Sequence, residues 1–410
     1  MKKRKVIAAI VISALIICFI AGIINLLFEE DPDRKVTEIN DGWTVAYNGK
    51  TYNNVSILSG EIEKLLSTDP VRGRLLILKT TVPDIGDMTF PTLHMKTEHC
   101  AYKVYVGGER ISDFAVNEFL NGKAVGSNDS FVLLPTDSAG ETMTIMIYTC
   151  GDRQYTSPIQ HPEIGERIDI EKSVIRKNIL TIAVSCFLVI FGFVFAILTI
   201  LLWTPTRVML GQIMASVLMV DYGLYMLYYS GITYIFMPSS ISNTGEFVSM
   251  YLFVPIALAM LYTIVKPTRK YITLTLATII VSVVAVVIVL HLLGILYLDK
   301  VYGLFYIISM YLFIKLIYYR VYHIKSLELV PRLQLVALFG VNLFLMLNGI
   351  IQFLMIKRMI HAGIINEYLL AAGGAFFACR RAFARRLFSF RFPARRALRG
   401  IHKTQERKIR

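Results

Sequence analysis

The sequence predicts a membrane protein with an α-helical bundle of seven spans, a further N-terminal anchor helix, and an all-β domain of the sandwich or jelly-roll type between them. Three observations predict this architecture. The chain of 410 residues is 55% hydrophobic with a mean hydropathy of +0.57, which is too apolar for a soluble protein. Long apolar segments fill residues 178–379. Short strand-like runs separated by turns fill residues 29–176.

The apolar segments follow one another with only short polar stretches between them. A helix needs about 20 apolar residues to cross a hydrocarbon core of about 30 Å. Because backbone polar groups cannot stay unpaired in lipid, such segments are expected to be helices. The predicted spans are 178–203, 208–230, 246–265, 271–294, 301–319, 333–356 and 364–379. The last is the weakest, because it is short and contains Glu367.

The N-terminus places four basic residues, 2–5, before an apolar run of 23 residues, 6–28. The apolar core of a signal peptide is normally about 7–15 residues long. The run therefore favours an uncleaved signal anchor, with a cleaved signal peptide as the alternative. Either reading leaves the basic N-terminus in the cytoplasm and the following domain outside.

Charged residues between the spans predict the same orientation. The loops expected inside carry Arg207, Lys266, Arg269, Lys270, Arg320, Lys325 and Arg332, and those expected outside carry Lys300, Lys357 and Arg358. Positive residues concentrate on the cytoplasmic side of membrane proteins. We therefore expect a multi-pass protein of the cell membrane with both termini cytoplasmic and residues 29–176 extracytoplasmic.

The distribution of charge divides the chain into four parts. Residues 29–176 hold 15 Lys and Arg against 23 Asp and Glu, whereas residues 380–410 hold 12 against a single acid. Such sorting is expected of a protein that faces two compartments. The predicted parts are a basic start and anchor helix at 1–28, an external β domain at 29–176, the bundle at 177–380, and a basic cytoplasmic tail at 381–410.

Two dipeptides mark hairpins in the β domain. Asn48-Gly49 follows the apolar-rich run 42–47, and Gly107-Gly108 follows the run 101–106. Asn-Gly between strand-like runs is the strongest short-range hairpin signal. Further strands are expected at 74–82, 92–97, 131–134 and 142–148. Many short strands with turns between them predict a sandwich or jelly roll.

Three short stretches give the chain a resemblance to a known family. These are DGW at 41–43, YKVYVGGE at 102–109 and SVIRKNI at 173–179. Together with the layout, residues 36–380 resemble the bacterial seven-transmembrane receptors with diverse intracellular signalling modules. Residues 102–109 resemble a hairpin of galactose-binding-like jelly rolls. The resemblance implies an external ligand, a carbohydrate or another small solute such as an organic acid, and an output to a cytoplasmic signalling partner.

The chain departs from that family after the last span. Family members usually carry a kinase, cyclase or phosphatase module there, and here only the basic tail follows. Its basic residues alternate with Phe383, Phe388, Phe390 and Phe392, which suits the anionic inner leaflet of a membrane. Nucleic-acid binding is poorly placed beneath a membrane. A shortened or frame-shifted gene end is an open alternative.

Motifs of catalysis and of cofactor binding are missing from the sequence. It contains no HExxH, no GxSxG and no GxxxxGK[ST], so the sequence predicts no enzyme and no cofactor. His94 and His99 are five residues apart in strand-like sequence, which directs them to opposite faces. No Cys/His spacing suits a metal.

Aromatic and polar residues of the β domain form the candidate ligand site. Aromatic faces suit sugar rings and arginine suits carboxylates, which selects Trp43, His99, Tyr105 and Arg110. Tyr102 belongs to the same stretch, but a place in the core is expected for it. The sequence does not establish that these residues converge.

Cys100 and Cys150 are the only cysteines of the external domain. A disulfide between them is therefore predicted on the oxidising side of the membrane. The remaining cysteines lie in or beside apolar runs.

Asp221 is the residue whose insertion into the membrane costs most, since a carboxylate at that depth costs about 2.5–3.5 kcal/mol. It is expected to face the interior, as part of an intramembrane switch with Tyr225 and Asn342. The alternative is a structural hydrogen bond to Asn342, Asn348, Gln352 or His291. Tyr222, Tyr225 and Tyr229 share one helical side, which would line a cavity or form an interfacial belt.

The sequence therefore predicts a transmembrane sensor that binds an external small solute and relays its state through the helices to a cytoplasmic partner. A transporter or transporter subunit is one alternative, although no repeat between halves is visible. An envelope protein that binds glycans without signalling is the other.

Overall fold

The structure is a computed structural model of the chain. It describes residues 2–28, 36–57, 62, 75–97, 100–121, 125–149, 159–201, 207–264, 270–296, 298–322, 327, 332, 334–336, 338–343 and 347.

Ten antiparallel strands form two sheets between residues 37 and 166. They are β1 Thr37–Glu38, β2 Trp43–Tyr47, β3 Lys50–Val55, β4 Leu75–Thr81, β5 Pro91–Thr97, β6 Cys100–Val106, β7 Glu109–Phe114, β8 Asn128–Leu133, β9 Thr142–Thr149 and β10 Gln160–Glu166. The four-stranded sheet has the order β1-β10-β5-β8, and the six-stranded sheet has the order β3-β2-β4-β9-β6-β7. We call residues 36–166 the two-sheet domain.

Eight α-helices have defined bounds among the described residues. They are α1 Lys2–Leu27, α2 Val116–Leu120, α3 Arg167–Lys177, α4 Ile179–Leu201, α5 Arg207–Tyr229, α6 Ser239–Ile264, α7 Lys270–Leu292 and α8 Tyr302–Tyr322. Short 3-10 helices lie at Ile232–Ile235 and Leu298–Val301.

Both predicted hairpins are confirmed by the backbone. Asn48 and Gly49 have φ of 51° and 74° and close a two-residue loop between paired Tyr47 and Lys50. Two positive φ values in succession give the twist that antiparallel strands need, and Asn-Gly accepts them at low cost. Gly107 and Gly108 do the same between β6 and β7, with φ of 58° and 90°.

The two sheets share one apolar core. Along β2, the alternate residues Trp43, Val45 and Tyr47 are buried, as a strand with one inward face requires. They pack in one cluster with Leu93 and Met95 of the opposite sheet. The prediction of an all-β domain is thus confirmed, as two packed antiparallel sheets.

The end of the domain differs from the prediction. Residues 160–166 form a strand that was not expected, because the sequence QHPEIGE has a proline and no run of β-branched residues. Residues 167–176, expected within the β domain, belong to helix α3, which ends at Lys177. The last strand therefore ends at Glu166, and a helix leads from the domain into the bundle.

Among the described residues, four helices are long and apolar enough to cross a membrane. These segments are Ile179–Leu201, Met209–Tyr229, Ser239–Ile264 and Thr275–Leu292. Ala14–Leu27, Leu304–Tyr319 and Gln334–Leu343 are shorter apolar helical segments. The expected span 364–379 and the basic tail 381–410 lie outside the described residues, so the total of seven spans stays a prediction.

Helices α4 and α5 approach each other closely at two glycines. A Cβ added at Gly192 would lie 2.8 Å from a methyl carbon of Val220, and one at Gly223 would lie 3.0 Å from the carbonyl oxygen of Ser185. Small residues let helix backbones come together where apolar burial gives little drive for association. Helices α4 and α5 are thus closely packed at both glycines.

Helix α6 begins at Ser239, earlier than the expected start of its span at 246. The added residues lie at the end of the bundle next to the two-sheet domain, which we call the domain-proximal end. Pro255 lies inside this helix. Because proline has no N–H, the carbonyl one turn earlier, at Tyr251, receives no helical hydrogen bond from it.

Candidate functional site

Trp43 does not belong to a ligand site at the surface. Its ring has no solvent exposure, and its Nε1–H donates a hydrogen bond of 2.8 Å to the carbonyl oxygen of Ile39. A buried indole normally satisfies its N–H within the protein. The prediction of a ligand contact at Trp43 was wrong, because period-two alternation along β2 directs this ring into the core.

Tyr105 and Arg110 are brought together by the structure. They are register partners on β6 and β7, and cross-strand partners point to the same face of a sheet. Tyr105 is half-buried and Arg110 is exposed. His99 lies outside the described residues, so its assignment to the same site stays a prediction.

The face that carries this pair is the outer face of the six-stranded sheet. Tyr102, on the inner face, is 2% exposed and packs in the core, as expected from the sequence. Helix α2 covers part of the outer face, where Phe119 packs against Tyr148 with ring centroids 5.7 Å apart. Lys103 places its Nζ 5.9 Å from the centre of the Tyr148 ring. The open part of the face thus presents an aromatic ring and basic groups.

A network of charged side chains lies on the four-stranded sheet. His94 of β5 forms hydrogen bonds with Asp129 of β8 through Nε2 and with Glu163 of β10 through Nδ1, the latter at 2.8 Å. Lys177, at the end of α3, donates to the second oxygen of Glu163 at 2.8 Å. The His94, Asp129 and Glu163 side chains are buried. We call these four residues the junction network.

The electrostatics of the network keep the imidazole charged. Burial alone would lower the pKa of His94, but the hydrogen bonds to Asp129 and Glu163 outweigh it and raise the pKa to about 9. Burial would raise the pKa of Glu163, but its bonds to His94 and Lys177 lower that pKa overall. A cation between two carboxylates stabilises their buried charges. The network can therefore hold three strands and α3 together as one ionic unit.

Sequence reasoning missed this network. In the sequence His94 has only His99 as a nearby histidine, and residues five apart on a strand point to opposite faces, which indicates no shared site. The partners of His94 come from strands that are far apart in sequence, and one of those strands, β10, was not expected at all. The sequence contains two parts of this network that could have indicated it: an ionisable residue in the expected strand 92–97 and an acidic residue in the sequence NDS at 128–130.

The network lies where the two-sheet domain meets the helices. Phe131, which stacks on His94 with ring centroids 4.8 Å apart, packs in a cluster with Ile170 and Val174 of α3, Ile232 and the end of α1. A Cβ at Gly231, in the connection between α5 and α6, would lie 3.0 Å from Asp129 Oδ2. The four-stranded sheet thus packs on the domain-proximal end of the bundle, with α3 beside it.

A second polar contact joins the domain to α6. The side chain of Asn243 accepts a hydrogen bond from the N–H of Ser127 at 3.1 Å and donates one to the Ser127 carbonyl oxygen at 2.7 Å. The single O–H hydrogen of Tyr234 is shared between the same carbonyl oxygen, at 3.2 Å, and Asn243 Oδ1, at 3.0 Å. Ser127 precedes β8, so the contact holds the beginning of an edge strand.

Inside the bundle, Asp221 is 8% exposed and Asn342 is fully buried. Among the described residues, neither Oδ2 of Asp221 nor either amide atom of Asn342 has a hydrogen-bond partner. The alternative reading of Asp221, a structural hydrogen bond to Asn342, is therefore wrong for this partner. Asn348 and Gln352 lie outside the described residues, and His291 accepts a hydrogen bond from the N–H of Leu298 at 3.4 Å.

The tyrosine face of α5 points into the bundle. Tyr222 and Tyr225 are 2% and 6% exposed, and their ring centroids are 6.4 Å apart, with Tyr229 continuing the row 5.9 Å from Tyr225. Tyr225 interacts electrostatically with Glu246 near the start of α6. An interfacial belt, one of the two readings of this face, is wrong for Tyr222 and Tyr225, because their rings are buried.

Comparisons with protein-family models, with curated proteins and with solved structures found no match.

Among the described residues, no group of three His, Cys, Asp or Glu side chains is arranged to hold a metal ion. Cys100 is buried at the start of β6 and pairs in register with Thr149. Cys150 is the next residue and lies outside the described residues. The Cys100–Cys150 disulfide stays a prediction.

Proposed function

We propose that the chain is a transmembrane sensor that binds an external small solute on its two-sheet domain and relays the bound state through the helix bundle to a cytoplasmic partner. One observation carries the proposal. The domain is attached to the bundle by two polar contacts, the junction network and the Asn243 contact, and by the apolar cluster around Ile170. A domain that packs on the helices in this way transmits displacement, whereas a flexibly tethered one does not.

The ligand surface is the open part of the six-stranded sheet's outer face, around Tyr105 and Arg110. A guanidinium binds carboxylates through two parallel hydrogen bonds, and an aromatic face packs on a sugar ring. These residues fit a carbohydrate or an organic acid. The resemblance of residues 102–109 to galactose-binding-like jelly rolls favours the same class of ligand.

The rest of the relay is proposed for the bundle. Three polar residues are buried among the apolar helices: Asp221, Tyr225 and Asn342. Burial of polar groups inside a membrane costs free energy, and residues that carry this cost commonly mark functional sites. We assign them to the element that changes state inside the membrane. The basic tail is placed at the anionic inner leaflet, where a cytoplasmic partner receives the output.

A ligand screen tests the sensor. The full-length chain in lipid nanodiscs is heated with a panel of sugars, organic acids and cell-wall fragments. A bound ligand at 100 times its Kd adds about 2.7 kcal/mol of stability, which appears as a higher unfolding temperature. Arg110→Ala and Tyr105→Ala should remove the shift. Lys50→Ala, an exposed change on β3, is the control and should keep it. A panel that shifts nothing contradicts the proposal.

A further inference from the structure

Asn243 uses its side chain as a substitute for a neighbouring strand. A side-chain amide has two donor hydrogens and an acceptor oxygen with two lone pairs. In Asn243 all four are used: Nδ2 donates to the carbonyl oxygens of Ser127 and Ser239, and Oδ1 accepts from Ser127 N–H and Tyr234 O–H. The amide thus pairs with both backbone groups of Ser127 as a strand would, and it is fixed to its own helix by the bond to Ser239.

The fit beside this amide leaves no space. A Cβ added at Gly126 would lie 2.5 Å from Nδ2 and 2.6 Å from Cγ of Asn243. Real Cβ atoms do not approach other atoms so closely, and the amide cannot rotate away without losing its four hydrogen bonds. A movement of residues 126–127 toward the bundle therefore pushes directly on α6.

The first half of α6 is held on two further sides. A Cβ at Gly245 would lie 2.5 Å from the Tyr228 ring of α5, and the Tyr251 hydroxyl donates to the carbonyl oxygen of Val301 at 2.7 Å. Below these contacts, Pro255 interrupts the helical hydrogen bonds. The part of α6 before Pro255 is therefore positioned by the two-sheet domain, by α5 and by the segment before α8.

We infer that Asn243 is the positioning residue that couples the two-sheet domain to α6, and that α6 is the helix through which the domain acts on the bundle. The inference rests on the proposed sensor function and names the contact through which it works. The hydrogen bonds of Asn243 go to Ser127, Tyr234 and Ser239, and not to Tyr105 or Arg110, so we assign it to the signal and not to ligand binding.

A wedge experiment tests the coupling. Full-length variants in nanodiscs are compared by amide hydrogen exchange of residues 125–130, 239–249 and 298–304. Gly126→Ala forces the clash and should speed exchange in the helical region 242–249 by about tenfold, the effect expected when side-chain hydrogen bonds are lost. The double variant Gly126→Ala/Asn243→Ala removes the amide that receives the push, so the wedge should add nothing to Asn243→Ala alone.

Two variants serve as controls and backup. Ser127→Ala keeps both backbone groups and should match the unchanged chain. Asn243→Asp keeps the acceptor but loses both donors, so it should speed exchange at 242–249 even where the wedge variant does not accumulate. The inference is overturned if Gly126→Ala alters only residues 125–130, if the wedge has the same effect without the Asn243 amide, or if Asn243→Asp exchanges like the unchanged chain. Because exchange is measured without ligand, a failed ligand screen and a failed coupling test are distinguishable.

Discussion

At the scale of the residue, His94 shows how a buried ionisable group is kept charged. Its imidazole lies between two carboxylates that come from different strands, and Lys177 of α3 neutralises part of the remaining negative charge. His161 of the same strand as Glu163 has its pKa lowered, first by burial and then by the charge of Lys177. Glu38 and Lys96 also act on His161. The pKa values of these two histidines are thus shifted in opposite directions.

The stability of the two-sheet domain should fall with rising pH because of His94. Its pKa is raised from 6.5 to about 9, so the stabilisation is complete below pH 6.5 and is lost as the pH rises through 9. The loss is at most about 3 kcal/mol. The lowered pKa of Glu163 adds stability that is present above pH 4.5 and lost as the pH falls. Thermal unfolding of the full-length chain between pH 6.5 and 9.5 measures the decline.

The variant His94→Gln should remove this alkaline decline and lower stability at pH 6.5. His161→Gln is the matched control, since the lowered pKa of His161 cannot produce a loss of stability at alkaline pH. A decline that persists in His94→Gln would assign it to other groups.

The disulfide is the second prediction at this scale. Cys100 lies opposite Thr149 at the last pair of the β6–β9 ladder, so Cys150 follows directly where strand β9 ends. A bridge would close a loop of about 50 residues and stabilise the domain by roughly 4 kcal/mol. We expect the unreduced, denatured chain to have two thiols fewer than the reduced chain. Equal numbers of thiols would exclude the bridge.

At the scale of the element, the packing of α4 against α5 depends on a close approach at glycine. Gly223 has a Leu188 side-chain carbon and a Ser185 backbone oxygen within 3.1 Å of a built Cβ. A backbone oxygen cannot move aside as a flexible side chain can. The separation of these two helices is therefore set by glycine.

Gly223→Ala should destabilise the bundle by about 1–3 kcal/mol, the usual cost of overpacking. Gly22→Ala in α1 is the control, because nothing lies within 4 Å of its Cβ and alanine favours a helix by up to about 1 kcal/mol. Thermal unfolding in nanodiscs should therefore shift in opposite directions for the two variants. A Gly223→Ala chain as stable as the Gly22→Ala chain would contradict the close approach.

Elements were predictable from the sequence where one local rule determines them. Asn48-Gly49 specifies its turn by backbone conformation alone, and the apolar runs specify their helices by length. Strand β10 was not predictable, because its partners β1 and β5 are distant in sequence and supply the hydrogen bonds that its residues do not favour locally. The junction network was not predictable for the same reason, since the order of the strands in the sheet determines which charged residues meet. Trp43 was misassigned because aromatic character alone does not separate a core face from a binding face.

At the scale of the whole molecule, the contacts between the two-sheet domain and the helices determine which helix ends lie on the same side of the membrane. The two-sheet domain packs on the ends of α1, α3 and the α5–α6 connection, so these ends must lie on the same side. The distribution of positive residues in the sequence predicts that this side is outside the cell.

Cysteine labelling on intact cells measures the orientation. In a chain without its native cysteines, Asn53→Cys in β3 and Ile241→Cys at the exposed start of α6 should react with an impermeant thiol reagent. Thr206→Cys, between α4 and α5, should not react. Labelling at Thr206 without labelling at Ile241 would reverse the assignment.

The basic tail gives the last prediction. Each Lys or Arg near an anionic leaflet contributes about 1 kcal/mol, and the effect falls off within a Debye length. A peptide of residues 380–410 should bind vesicles that contain anionic lipid, ignore neutral vesicles, and dissociate as salt is raised. Equal binding to neutral vesicles would remove the electrostatic argument.

The pairing of β1 with β10 has an evolutionary consequence. Thr37 lies opposite Ile164 and Glu38 opposite Glu163, so the chain enters and leaves the two-sheet domain at adjacent points. Domains whose termini are close together tolerate insertion and exchange. A recombination event that replaces residues 37–166 with another domain of adjacent ends would leave the connections to α1 and α3 in place. The same helices could therefore carry different external domains, provided that each replacement domain supplies backbone groups that pair with the Asn243 amide as Ser127 does.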